Sequence, residues 1–203
     1  MNNNPGSGLV AAFESQNVPL SDIVPTSTMS ISDRNNYRLD SIRRAIARAK
    51  EKGVINADGS NAVIREIRPT ADLTFGANAN QDWLTAAMVA GTLLTVVNNR
   101  QVPQNQLFVI YGISCIEAAP AVGEVTIARG TAGAGGINLI VNLQSLYDKL
   151  EQEAYFSKAV LYDPTDIIFI QFLPVAAAAG GQRYILHGYV VEPVGTTFAV
   201  QPA

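Results

Sequence analysis

From Leu107 to Val200 the chain is a succession of short apolar runs: LFVIYGISCIE, GEVTIARG, GINLIVN, AYFSKAVLYD, DIIFIQFLP, QRYILHGYVVEP and TTFAV. Runs of this length, rich in β-branched and aromatic residues and punctuated by Gly, Pro, Asn and Asp, read as strands. Strands at such short, regular spacing bury their apolar faces only against one another, in two facing sheets or a closed barrel. The spacing predicts an all-β sandwich. Few chemically reactive side chains fall within these runs, so the pattern points to packing and surface presentation rather than catalysis.

The chain of 203 residues has room for one large domain plus an arm. Its charged residues, at 15%, fall well short of the usual level of about 25%. Gly, Ala, Asn, Gln, Ser and Thr fill the deficit. A surface made of such groups is cheap to desolvate and suits large protein–protein contacts. The formal net charge of -3 exerts no overall pull towards nucleic acid or anionic membrane. The single cysteine, Cys115, forms no intrachain disulfide and is expected as a small buried hydrophobe.

Residues 1–32, rich in Asn, Ser, Pro and Thr, predict an extended arm that stays disordered or lies along a neighbouring subunit. The opening MNNNPGSGLVAAF has neither a basic region nor a long apolar one, so no secretory leader is expected. The long uncharged stretch from Trp83 to Asn99 is too polar for a membrane span. Residues 33–53 hold a basic amphipathic helix, with Ser32 or Asp33 as cap, Gly53 as stop, and an apolar stripe of Leu39, Ile42, Ile46 and Ala49. Residues 54–203 form the β domain. In it AVIREIRP (62–69) and TADLTF (70–75) read as strands, and NLQSLYDKLEQE (142–153) as a short inserted helix.

Candidate chemistry is sparse. His187 is the only histidine and sits in a strand, which removes most His-based catalysis and any multi-His metal site. Asp163 and Asp166 in DPTD read as an Asp-Pro turn rather than as facing carboxylates, and Glu151 and Glu153 close the inserted helix. NANQD (78–82) lacks the spaced acids of a calcium loop. ARGTAGAGGIN lacks the Lys-Ser/Thr ending of a phosphate loop, and no G-x-S-x-G occurs. No cofactor, metal or small-molecule substrate is expected. The helix is the most suggestive feature: residues 33–52 hold seven of the chain's 14 Lys and Arg against three acids. Arg38, Arg43, Arg44 and Arg48 are the candidate contacts to an anionic partner, with only Tyr37 for aromatic stacking.

The runs VPQNQLFVIYGISCIEAAP, GINLIVNLQSLYDKL, EAYFSKAVLYDPTDIIFIQFLP and RYILHGYVVEPVG, in that order, resemble the single jelly-roll capsid proteins of tailless icosahedral phages and viruses. The resemblance covers about residues 83–200 and rests on strand order, strand length and the inserted helix. It implies a jelly-roll β-sandwich with an N-terminal extended arm, acting as a structural virion protein. The implied partners are further copies of the chain and other capsid subunits, with an internal membrane or nucleic acid as anionic candidates for the helix. The chain departs from the family's pattern in its arm, since residues 1–32 contain no Lys or Arg to condense a genome. The alternative is a carbohydrate- or receptor-binding β-sandwich module, such as a phage spike or attachment protein. Trp83 and the tyrosines at 111, 147, 155, 162, 184 and 189 would then form its aromatic platform.

Overall fold

A computed structural model describes residues 23–76, 82–130, 136–147 and 152–196. Among these residues nine strands form two antiparallel sheets facing each other. The five-stranded sheet has the order β1 (Ile23–Pro25), β7 (Glu153–Tyr162), β4 (Leu107–Cys115), β9 (Tyr184–Pro193), β2 (Ala62–Glu66). The four-stranded sheet runs β3 (Leu94–Gln101), β8 (Ile167–Pro174), β5 (Val122–Arg129), β6 (Gly136–Asn142). The expected all-β sandwich is therefore present. One long helix, α1 (Ile31–Glu51), lies against the outer face of the five-stranded sheet, and a single turn, α2 (Gln144–Tyr147), follows β6.

The core lies between the sheets and is made by alternation. Phe108 and Ile110 of β4, Phe156 and Tyr162 of β7, and Ile168, Ile170 and Phe172 of β8 are all buried there. Phe172 of one sheet stacks edge-on against Tyr184 of the other at 5.2 Å and against Phe75 at 6.1 Å, clamping the sandwich at one end. The alternation in β4 breaks once. Opposite β9, Ile110 pairs with Gly188 and Gly112 with His187, which leaves Tyr111 as an extra residue. This bulge reverses the parity of the strand. Before it, Phe108 and Ile110 point into the core; after it, Ile113 and Cys115 do, and Ser114 turns to the outer face. Glycine at 112 is required there, since a Cβ would lie 2.8 Å from the Ala154 carbonyl oxygen.

Several local expectations change. Thr70–Phe75 is not a strand: Pro69–Leu73 forms a π-helical turn, with Pro69 at its start and Thr74 left-handed at its end. Asp72 holds this turn by accepting from the Arg68 backbone N–H at 2.6 Å. The inserted helix is described only for Gln144–Tyr147, and Glu153 already belongs to β7. Cys115 is buried in the core, as expected, and burial pushes its thiol up. Residues 1–22, 77–81 and 197–203 fall outside the described residues, and with them most of the arm, of NANQD and of TTFAV. The described part of the arm docks on the chain's own fold, with Ile23, Val24 and Pro25 paired to Phe156, Tyr155 and Ala154. No helix among the described residues is long and apolar enough to cross a membrane.

Candidate interaction surfaces

Helix α1 begins two residues earlier than its sequence signals suggest. Ser30 is the cap: its Oγ accepts from the Asp33 backbone N–H at 3.1 Å and donates to the Asp33 carboxylate at 2.7 Å. The face turned to the sheet is lined by small residues four apart. Ser41, Ala45 and Ala49 are buried, with Tyr37, Ile42 and Ile46 flanking them. Small side chains let the helix sit close to Leu107, Val109, Tyr111, Tyr189 and Val191. Leu39, expected in the stripe, is 48% exposed.

This seating decides what the basic residues do. Arg38 donates from Nε and Nη2 to the Tyr189 hydroxyl at 3.2 and 3.1 Å, which raises the guanidinium pKa. Arg48 donates from Nε and Nη2 to both oxygens of Asp163 at 2.8 and 2.6 Å, and also pairs with Glu51. Lys52 reaches the same Asp163 at 3.3 Å. Arg44 pairs with Asp40 one turn away, an exposed contact of small value. Arg43 is exposed and has no ionic or hydrogen-bonding partner among the described residues. The exposed cations of the helix and its C-cap, Arg43, Arg44 and Lys52, are matched in number by the exposed acids Asp33, Asp40 and Glu51. The excess positive charge resides on Arg34, Arg38, Arg48 and Lys50, all half-buried.

Asp163 was legible in the sequence only as a turn residue. The DPTD segment is a turn: the Asp163 backbone N–H donates to the Asp166 carboxylate at 2.7 Å, and Thr165 is left-handed. Its carboxylates bind Arg48, Lys52 and Arg129 instead of facing each other across a cleft. A second ionic network is almost fully buried at the β2 edge. Arg65 bridges Asp72 at 2.6 Å and Glu192 at 3.0 Å, and Gln106 donates to Glu192 at 2.7 Å. Burial works against the Arg65 charge, and the two carboxylates outweigh it.

His187 meets a polar group that the sequence does not reveal, because the β4 bulge creates it. Its Nε2 is 3.0 Å from Ser114 Oγ and 3.6 Å from Glu153 Oε1, and its ring stacks on Tyr111. Burial lowers the imidazole pKa, and Glu153 opposes that shift. A nucleophile relay places hydroxyl and carboxylate on opposite ring nitrogens. Here both approach Nε2, a geometry of structural cross-linking between β4, β7 and β9. Among the described residues no His, Cys, Asp and Glu side chains gather in a set able to hold a metal ion. The Gly-rich segment joins antiparallel strands β5 and β6, and residues 131–135 lie outside the described ones. The tyrosines at 111, 155, 162, 184 and 189 are buried, and Trp83 packs edge-on against Phe75 at 5.1 Å.

One end of the sandwich is built from three connections stitched together around Gln182. Its side chain accepts from Ala121 N–H at 2.7 Å and donates to Ala119 O at 2.7 Å, and its backbone N–H donates to Thr85 Oγ1 at 3.0 Å. Gly91 N–H donates to Pro174 O at 2.8 Å, and Met88 bridges Ala178. Residues 84–93, 116–121 and 175–183 are thus one continuous surface. No protein-family model matches the chain, and no curated protein matches it.

Proposed function

We propose that this chain is a coat subunit, a jelly-roll β-sandwich that assembles with further copies of itself into the shell of a virion. The observation that carries the reading is the pairing order. Counting inward from the two ends of the eight strands β2 to β9, each pairs with its counterpart: β2 with β9, β3 with β8, β4 with β7, and β5 with β6. A long antiparallel hairpin rolled into two sheets has this order, and the jelly-roll reading rests on it. β1 adds one strand at the β7 edge.

The low charge supports assembly, since few ions must be desolvated at subunit contacts. The helix α1 supports it as well: the outer face of the five-stranded sheet is already covered by the chain itself, so neighbours meet the helix, the outer face of the four-stranded sheet, the sheet edges and the two ends. With exposed charges balanced, Arg43 and Arg44 suit an acidic patch on a neighbouring subunit better than a polyanion. The test is light scattering and negative-stain electron microscopy of the purified chain at micromolar concentration, alone and with candidate partner subunits. Closed oligomers or shells are expected. A strict monomer under all of these conditions would overturn the reading.

A further inference from the structure

We propose that the end of the sandwich formed around Gln182 is a self-association surface, which docks on the same end of further copies of this chain. The inference rests on the coat-subunit reading and names the face that assembly uses. Val89, Leu93, Ile116 and Val175 are 63%, 57%, 54% and 49% exposed there, large apolar side chains carried by the three hydrogen-bonded connections. Scattered exposed hydrophobes are ordinary on a soluble protein, whereas four on connections bonded to one another at one end mark a contact. The intervening backbone is rigid, tied by the Gln182 bonds and by Gly91 to Pro174, so the surface exists before the partner arrives.

The charge pattern identifies the partner. Across a two-fold axis residue i meets residue j and j meets i, so a patch that contacts its own copy must be uncharged or carry both signs. Residues 84–99, 118–121 and 173–182 contain no charged residue. Of the described charges at this end, Arg183 and Asp82 pair, with Nη2 3.1 Å from the carboxylate, and Glu117 accepts from the Arg183 backbone N–H at 3.0 Å. A lipid surface is the poorer fit. Apolar loops that enter a membrane interface carry Trp or Tyr and excess Lys or Arg, and here the exposed group is aliphatic and, among the described residues, rimmed by two acids and one base.

The experiment compares the full chain with Leu93→Glu and, separately, Val175→Glu, by sedimentation velocity over a range of concentrations. Circular dichroism melts establish that both exposed variants stay folded. The unchanged chain is expected to self-associate, and each variant to weaken association by about 100-fold or more through repeated like charges near the axis. If the unchanged chain and both variants associate equally well, this inference fails and the coat-subunit reading stands. If the unchanged chain stays monomeric at every concentration, the coat-subunit reading itself fails. If neutral phosphatidylcholine vesicles bind the unchanged chain but neither variant, while self-association is unaffected, the surface is a lipid contact and the inference is overturned.

Discussion

Arg48 grips Asp163 with two nitrogens on two oxygens, at 2.8 and 2.6 Å, and so straps helix α1 to the turn between β7 and β8. Hydrogen bonds from Arg48, opposed by burial and aided by Lys52, hold the Asp163 carboxyl below its ordinary value of 3.8. A carboxylate whose folded pKa is depressed adds stability above its unfolded pKa and loses it as pH falls through the folded value. Asp163→Asn should therefore lower the urea midpoint at pH 7, with the gap to the unchanged chain narrowing towards pH 3. A gap of equal size at both pH values would show that the strap is not ionic.

His187 makes the opposite residue type behave the same way. Burial lowers its folded pKa below the unfolded 6.5, with Glu153 opposing and with Arg38 and Glu66 the other charges that bear on it. Folding therefore prefers the neutral ring. The resulting stability is full above about pH 6.5 and declines as pH drops through the folded value. His187→Gln keeps a polar partner for Ser114 and removes the titration. Thermal melts of the variant should be flatter from pH 7 to pH 5 than those of the unchanged chain. Parallel pH profiles would sink the prediction.

Phe172→Ala empties the contact between the two sheets and leaves Phe75 and Tyr184 facing a void. The expected loss is about 3–5 kcal/mol of unfolding free energy by denaturant titration. A loss below about 1 kcal/mol would mean that the sheets close over the gap.

Gly181 has φ 72, and a Cβ there would lie 2.1 Å from the Thr85 carbonyl oxygen. Gly181→Ala should cost about 1–3 kcal/mol from backbone strain alone, with the clash added to it. Gly195→Ala is the control, having φ 84 and open space around the added carbon. Equal losses for the two variants would assign the whole effect to backbone conformation.

For the helix face, the double variant Arg43→Gln, Arg44→Gln changes the exposed cations without touching the Asp163 strap. Binding to duplex DNA through those two groups has a salt slope of about -2 at most. A steeper slope, abolished by the double variant, would restore a polyanion as the partner of this helix.

The sandwich was readable because strand and turn residues alternate over short distances, and so was Cys115, which keeps bulky apolar company. The DPTD turn was readable for the same reason, since Asp163 and Asp166 close it locally. The destinations of the arginines were not: Arg48 meets Asp163, and Arg38 meets Tyr189, across strand pairings that no local pattern encodes. Leu39 fits helical spacing but lies outside the buried face, because that face is chosen by how closely Ser41, Ala45 and Ala49 let the helix approach the sheet. The Ser114–His187 contact depends on a single bulged residue, Tyr111, that reverses the parity of its strand. Pro69–Leu73 is apolar and β-prone in part, yet the Asp72 carboxylate captures the Arg68 N–H and winds the segment into a turn.

The pairing of β2 with β9 has a consequence for synthesis. Arg65 has no strand neighbour until Val190 leaves the ribosome. Helix α1 emerges early, but the sheet surface it covers includes Tyr189 and Val191. A nascent chain therefore displays the apolar side of α1 and both edges of β2 until β9 emerges. Folding by such distant pairings is slow, and waiting strands are open to aggregation. Closure of the sandwich waits for β9, and until then the apolar face of α1 is open to chaperones.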